Sequence, residues 1–231
     1  LKKNYKFSIV KKLIVLLVSV ALALLIIRVV MIKQEIPDSG VENISTYEEA
    51  MTFSGGGTVL SPVFDSLWKN SYTMEQYKAA PIIAVVQSNN RLKQYDYLLS
   101  QEVTVKKVLQ GTGVSENEII YISDFGFANY YRGLRFYSTT NILNPSQEYI
   151  VFLSAYEGLN RYVNTSYYNY AVYGPGAFPL ESDNSQLIMT SEEETKYQDV
   201  KDYAYFVSIP EFWEEIQRIK TELLREYKLV E

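Results

Sequence analysis

Residues 13–32 read LIVLLVSVALALLIIRVVMI and are apolar throughout except for Ser19 and Arg28. At about 1.5 Å of rise per residue, a helix of this length covers the ~30 Å hydrocarbon core of a bilayer. A buried helix in a soluble fold carries a polar face, and this run has none. The pattern therefore predicts a membrane-spanning helix over 13–32. Arg28 lies close to the outer end of the run, where its guanidinium reaches the interface at low cost. Lys2, Lys3, Lys6, Lys11 and Lys12 precede the run with no acid among them. That excess predicts a cytoplasmic N-terminus, with everything after Lys33 outside the cell membrane. The alternative is a cleaved signal peptide, because Ala21-Leu22-Ala23 has a small-x-small pattern. Cleavage there would leave Leu24-Leu25-Ile26-Ile27 as a new apolar terminus, which favours an uncleaved single-pass anchor.

The expected organisation is a basic cytoplasmic flank (1–12), a transmembrane anchor (13–32), a stalk (33–62) and an extracytoplasmic domain (63–231). The stalk is punctuated by Pro37, Gly40 and Gly55-Gly56-Gly57, with a short helix expected near Thr46 to Met51. The triple glycine lacks the Gly-Lys-Ser/Thr that would make it a phosphate cradle.

Charge narrows the partners. The first 33 residues hold seven of the 22 basic side chains and none of the 27 acids, so the remainder carries 15 bases and a net charge of −12. Such a domain repels nucleic acid and anionic headgroups, so neither is an expected ligand of the exported part. The expected contacts are the lipid bilayer through residues 13–32 and, outside, a cell-wall polymer or a membrane-protein partner.

The chain contains no His and no Cys. Their absence excludes Ser-His-Asp and Cys-His nucleophile systems, thiolate or imidazole zinc sites and any disulfide framework. No cofactor or metal site is expected. Glu192-Glu193-Glu194 with Asp199 and Asp202 has the hardness for Ca²⁺, but no EF-hand spacing frames it, and a solvated acidic segment is the expectation.

From Pro81 the pattern turns to strands: residues 81–87, 102–109, 118–123, 148–154 and 167–173 are rich in Val, Ile, Tyr and Phe. Val103, Val105 and Val108 alternate with Thr104, Lys106 and Lys107, with one slip that a bulge absorbs. Residues 110–117 are too short and polar for a crossover helix, so the second and third strands should pair as a hairpin. A last hairpin is expected from Ala177–Leu180 and Gln186–Thr190. Thr73-Met74-Glu75-Gln76 has capping-box spacing and predicts a helical turn ending before Pro81. Ser208-Ile209-Pro210-Glu211 predicts the start of a terminal helix, whose stripe of Phe212, Ile216, Ile219, Leu223 and Tyr227 should pack on the strands.

The succession PIIAVVQ, EVTVKKVLQGTGVSENEIIYIS, NPSQEYIVFLSAYEG and YAVYGPGAFPL, closed by SIPEFWEEIQRIKTELL, resembles a group of uncharacterised exported, membrane-anchored proteins of Gram-positive bacteria. Val103, Val105, Val108, Leu109, Gly111, Tyr149, Phe152 and Leu153 fall on the pattern's positions, and Gln147 replaces its usual glycine. The resemblance implies a small OB-like antiparallel barrel behind an anchor or signal peptide, and implies no activity. The expected fold is therefore mainly β, with an OB-like antiparallel barrel and a C-terminal amphipathic helix; an open α+β sheet is the alternative.

Two features bear on function. Ser66-Leu67-Trp68-Lys69 and Ser182-Asp183-Asn184 match elements of serine enzymes that act on cell-wall peptides, but the Lys-Thr-Gly strand of those enzymes is missing. No catalytic residue is assigned, and a cell-wall-active serine enzyme using Ser66 and Lys69 is the rival reading. The tyrosines are more suggestive, since eleven of 21 lie between Tyr121 and Tyr173. Exposed, Tyr130, Tyr131, Tyr168 and Tyr170 would offer stacking rings and free hydroxyls to a sugar or peptide; ordinary packing is the alternative. The expected role is a non-enzymatic binding or interaction module at the cell envelope.

Overall fold

The computed structural model describes residues 15–24, 51–54, 73–95, 98–124, 126–129, 133–136, 140–157, 166–172, 174–181, 186–188, 194–196, 199, 202–207 and 210–229. The chain divides into two units, Leu1–Pro37 and Asp38–Glu231. In the first, residues 15–24 form a helix (α1) whose side chains are all exposed. Ser19 Oγ donates to the Val15 carbonyl at 2.9 Å, so its one hydroxyl is satisfied within the helix. No helix among the described residues is long and apolar enough to cross a membrane. The rest of the expected 13–32 span lies outside the described residues.

The second unit is mainly β with a C-terminal helix. Its principal sheet contains β2 (Ile82–Tyr95), β3 (Leu98–Gln110), β4 (Ile119–Asp124), β7 (Glu148–Ala155), β8 (Tyr167–Tyr170) and β9 (Ala177–Pro179). The order is β2-β3-β4-β8-β7-β9, and β2 also pairs with β7. Five strands thus form a ring, β2-β3-β4-β8-β7 and back to β2. A ring with an odd number of strands cannot alternate direction all the way round. The expected antiparallel barrel is corrected accordingly: the sheet is mixed and ring-like but not a barrel, and β4 and β8 run parallel, Tyr121 opposite Tyr167 and Ser123 opposite Asn169.

The expected hairpin between β3 and β4 is present, with Leu99 opposite Asp124 and Thr104 opposite Ile119. The slip at Lys106 is a bulge: Val86 faces Val105 while Val85 faces Lys107. The bulge returns Val108 to the same side as Val103 and Val105, where all three pack together. Gly111 closes the turn with φ +91°; a Cβ there would lie 2.1 Å from the Pro81 carbonyl oxygen.

Two apolar cores lie on the two sides of the ring. Inside are Ala84, Val86, Val103, Val105, Ile120, Ile122, Val151, Leu153 and Tyr168. Outside, Ile83, Ile150 and Phe152 join Phe178 and Tyr205 beneath Ile216, Ile219, Leu223 and Leu224 of the terminal helix α3 (Pro210–Glu226). Because β7 is buried on both sides, its sequence EYIVFLSA reads as an apolar run rather than an alternation. Ile216, Ile219 and Leu223 of the expected stripe pack on the sheet, and the side chain of Phe212 lies outside the described residues. Leu224 joins them, Tyr227 packs at their margin, and Ser208 lies outside the described residues.

The short helix α2 (Met74–Lys78) also contributes to the outer core. Thr73 precedes it without a side-chain cap, and Gln76 N–H instead donates to the Thr73 carbonyl at 3.0 Å. The buried Tyr77 ring packs edge-on against Phe152 at 4.9 Å and donates its hydroxyl to the Pro175 carbonyl at 3.2 Å.

Two further expectations are corrected. The last hairpin does not form, although both of its strands do. β9 pairs antiparallel with β7, while β10 (Gln186–Ile188) runs parallel with β12 (Tyr205–Val207). The Phe178 ring, 5.5 Å from Tyr77 and 6.1 Å from Phe152, holds β9 on the outer core instead. The stretch expected as stalk contributes β1 (Met51–Ser54), so Met51 is in a strand rather than a short helix; residues 46–50 lie outside the described residues. β1 pairs parallel with β6 (Gly133–Phe136) and antiparallel with β11 (Glu194–Lys196), and β5 (Gly126–Asn129) completes the second sheet on β6.

Candidate functional site

The register across β2, β3, β4 and β8 places side chains in three rows. Arg91, Glu102, Tyr121 and Tyr167 face one another strand to strand in the first. Leu92, Gln101, Ile122 and Tyr168 form the second, and Lys93, Ser100, Ser123 and Asn169 the third. Since successive residues of a strand point to opposite faces, the middle row points into the ring and the two flanking rows point out. The outward rows are polar and contain Glu102, a carboxylate buried in the sheet.

Glu102 is 4% exposed. Its carboxylate accepts from the Tyr121 hydroxyl at 2.7 Å and from Asn89 Nδ2 at 3.1 Å, and pairs with Arg91 at 3.5 Å. Thr104 Oγ1 in turn donates to Asn89 Oδ1 at 2.9 Å. A buried carboxylate is tolerated only with such partners. Two groups pack on the Tyr121 ring: Tyr167 stacks on it at 5.1 Å, and Lys93 Nζ lies 4.4 Å from its centroid. Burial, followed by the bond to Glu102, raises the Tyr121 hydroxyl pKa above its ordinary value. In the neighbouring row the Ser100 and Ser123 hydroxyls meet at 2.9 Å. Arg91 stays half-exposed at the rim.

Inside the ring, one side chain performs the work of a strand. Gln101 Nε2 donates to the Leu143 carbonyl, and Leu143 N–H donates back to Gln101 Oε1, both at 2.8 Å. Gln101 Nε2 also donates to Ser88 Oγ at 2.8 Å. This paired amide fixes residues 141–143 against the ring and seats Leu143 in the inner core.

Tyr168 belongs to that inner side. It is 4% exposed, packs among the inner core residues and donates its hydroxyl to the Gly113 carbonyl at 2.8 Å. Burial raises its pKa as well. Tyr170 is half-buried on the same core, and its ring covers Gly176 so closely that a Cβ there would fall 2.0 Å from it. The two rings therefore pack rather than present the stacking surface considered from sequence. Tyr130 and Tyr131 lie outside the described residues, as do Ser66, Lys69 and Ser182-Asp183-Asn184. Among the described residues no group of Asp and Glu is arranged to hold a metal ion.

A concave region of about 810 Å³ lies between α2 and α3. Lys78 bridges it to Glu226 at 2.9 Å. Along α3, Arg218 binds both Glu215 and Glu222. These contacts hold the Arg218 guanidinium above its ordinary pKa and Glu215 below its own.

Sequence reasoning did not find the Glu102 cluster, because its members come from three strands and none forms a motif. The available signal was the outward polar series Asn89, Arg91, Lys93 beside Glu102 and Thr104. No protein-family model matches the chain, and no curated protein and no solved structure matches it.

Proposed function

We propose that the protein is a membrane-anchored, extracytoplasmic interaction module of the bacterial cell envelope, with no catalytic role. The observation that carries the address is α1: an apolar helical segment with every side chain exposed, lying within an apolar run long enough to span and preceded by five lysines. Exposed Leu and Val on every side of a helix suit a hydrocarbon environment.

The interaction reading rests on the outward rows. General acid–base work needs a group with a lone pair or proton directed at substrate. Glu102, the buried carboxylate of this face, is instead committed to Tyr121, Asn89 and Arg91. What the face offers a partner is the half-exposed guanidinium of Arg91 at its rim. That group suits bidentate recognition of a single carboxylate or phosphate on a cell-wall polymer or a membrane protein, a contact of short range on a domain whose overall charge is negative.

The ring is read as OB-like. Strand order β2-β3-β4-β8-β7 with return to β2, and a single parallel pair between the third and fifth strands in chain order, support that reading. In OB-folds the second and third strands carry the ligand face, here β3 and β4, where Glu102 and Tyr121 lie.

The test is retention of the full chain, in detergent, on purified cell wall and on solubilised membranes, alongside labelling by a fluorescent β-lactam. Retention that drops on Arg91→Ala, without β-lactam labelling, is the expected result. Covalent labelling lost on Ser66→Ala would replace this reading with the serine-enzyme one.

A further inference from the structure

The face of α3 that turns away from the core carries Glu215, Arg218, Glu222 and Arg225, at three- and four-residue steps that put them on one stripe. The stripe forms one wall of the concavity facing α2. The order of its charges is symmetric in a particular way. Glu215 and Arg225 stand equally far from Lys220 along the helix, as do Arg218 and Glu222, and each pair has opposite sign. Reversing the helix end to end about Lys220 therefore lays each of these four charges on its opposite, while Glu211, one turn before Glu215, falls on the position of Leu229.

We propose that this stripe is an isologous interface, on which a second copy of the chain docks with its α3 antiparallel. In that arrangement Glu215 faces the second copy's arginine 225, and Arg218 faces its glutamate 222, each contact occurring twice about the dyad. Two observations select a second copy as the occupant. Arg218 and Arg225 balance Glu215 and Glu222, whereas residues 34–231 carry −12, so copies that repel over most of their surface meet opposite charges at these four positions. The charges are also unequally satisfied within one chain. Arg218 binds both Glu215 and Glu222, while Arg225 is exposed and makes no ion pair among the described residues. The antiparallel dimer gives Arg225 the partner it lacks, and Glu215 a second cation. This inference does not depend on the ligand face proposed above, which lies on β2–β4.

Charge exchange tests it. Sedimentation of the full chain in density-matched detergent should show a dimer that weakens with added salt. Arg225→Glu alone and Glu215→Arg alone each place like charges opposite one another twice per dimer and should weaken association at least about tenfold. The double variant, carrying both changes, should dimerise again, and an equimolar mixture of the two single variants should form a heterodimer. Arg225 is exposed and Glu215 is partly so, and circular dichroism should report an unchanged fold for each variant. A monomeric native chain would overturn the proposal. So would a dimer indifferent to both reversals, which would place association in the apolar N-terminal helix or on another face.

Discussion

The outside of the ring is covered in two different ways, and β2 runs through both. Along its first half the outward side chain Ile83 lies in an apolar cluster with Phe152, Phe178 and the buried stripe of α3. Along its second half the outward side chains are Arg91 and Lys93, next to a carboxylate bound by a tyrosine and an asparagine. The change occurs at an irregularity between Ser88 and Arg91, where Asn90 adopts φ +58°. Asn tolerates this left-handed conformation better than most residues. One strand thus serves a surface held by burial and another held by hydrogen bonds, and the local break lets its register change where its chemistry does.

The two halves should differ in what a single substitution costs. Phe152→Ala removes a fully buried ring from between Tyr77 and Phe178, and should cost about 3–5 kcal/mol in chemical denaturation. Glu102→Ala strands the Tyr121 hydroxyl and Asn89 amide and should cost about 2 kcal/mol. Adding Tyr121→Phe should then cost less than it does alone, because the two groups satisfy each other. Strict additivity in that cycle would show that the polar half is not a network.

Inside the ring, Tyr168→Phe forfeits the bond to the Gly113 carbonyl and should cost about 1 kcal/mol. It also carries a pH signature. Burial raises the Tyr168 pKa above the ordinary 10.0, so the folded state holds that proton more tightly than the unfolded chain. Its contribution is complete below pH 10 and is lost as pH climbs through the raised value. Alkaline titration of stability should therefore fall less steeply in Tyr168→Phe than in the native chain, and Tyr121→Phe should flatten the curve in the same sense.

The smallest effect is expected on the solvent face of α3. Arg218→Ala removes its bonds to Glu215 and Glu222, but all three side chains are substantially exposed. The change should move stability by less than about 1 kcal/mol. A larger loss would mean that this face supports the fold.

The same contrast explains what could be read from sequence. The apolar half of β2 was legible as PIIAVVQ, whereas the half from Ser88 to Tyr95 was not, since SNNRLKQY lacks β-branched residues and contains two asparagines. Its extended state is imposed by pairing with β3, from Arg91 opposite Glu102 to Tyr95 opposite Leu98. The terminal helix and the bulge at Lys106 were legible because each is a local periodic signal. The parallel pairing of β4 with β8 and the parting of β9 from β10 were not, because both depend on which partner lies across space. Tyr168 could not be assigned to a surface or a core from its own strand, where Tyr167 and Tyr168 point to opposite faces and both are buried.

The proposed anchoring of the chain through residues 13–32 is tested most directly by accessibility on intact cells. A protease added to cells producing the full chain with a C-terminal epitope should remove the epitope and leave only a short, membrane-retained N-terminal fragment. An epitope that stays protected on intact cells, and becomes cleavable only after lysis, would contradict the account.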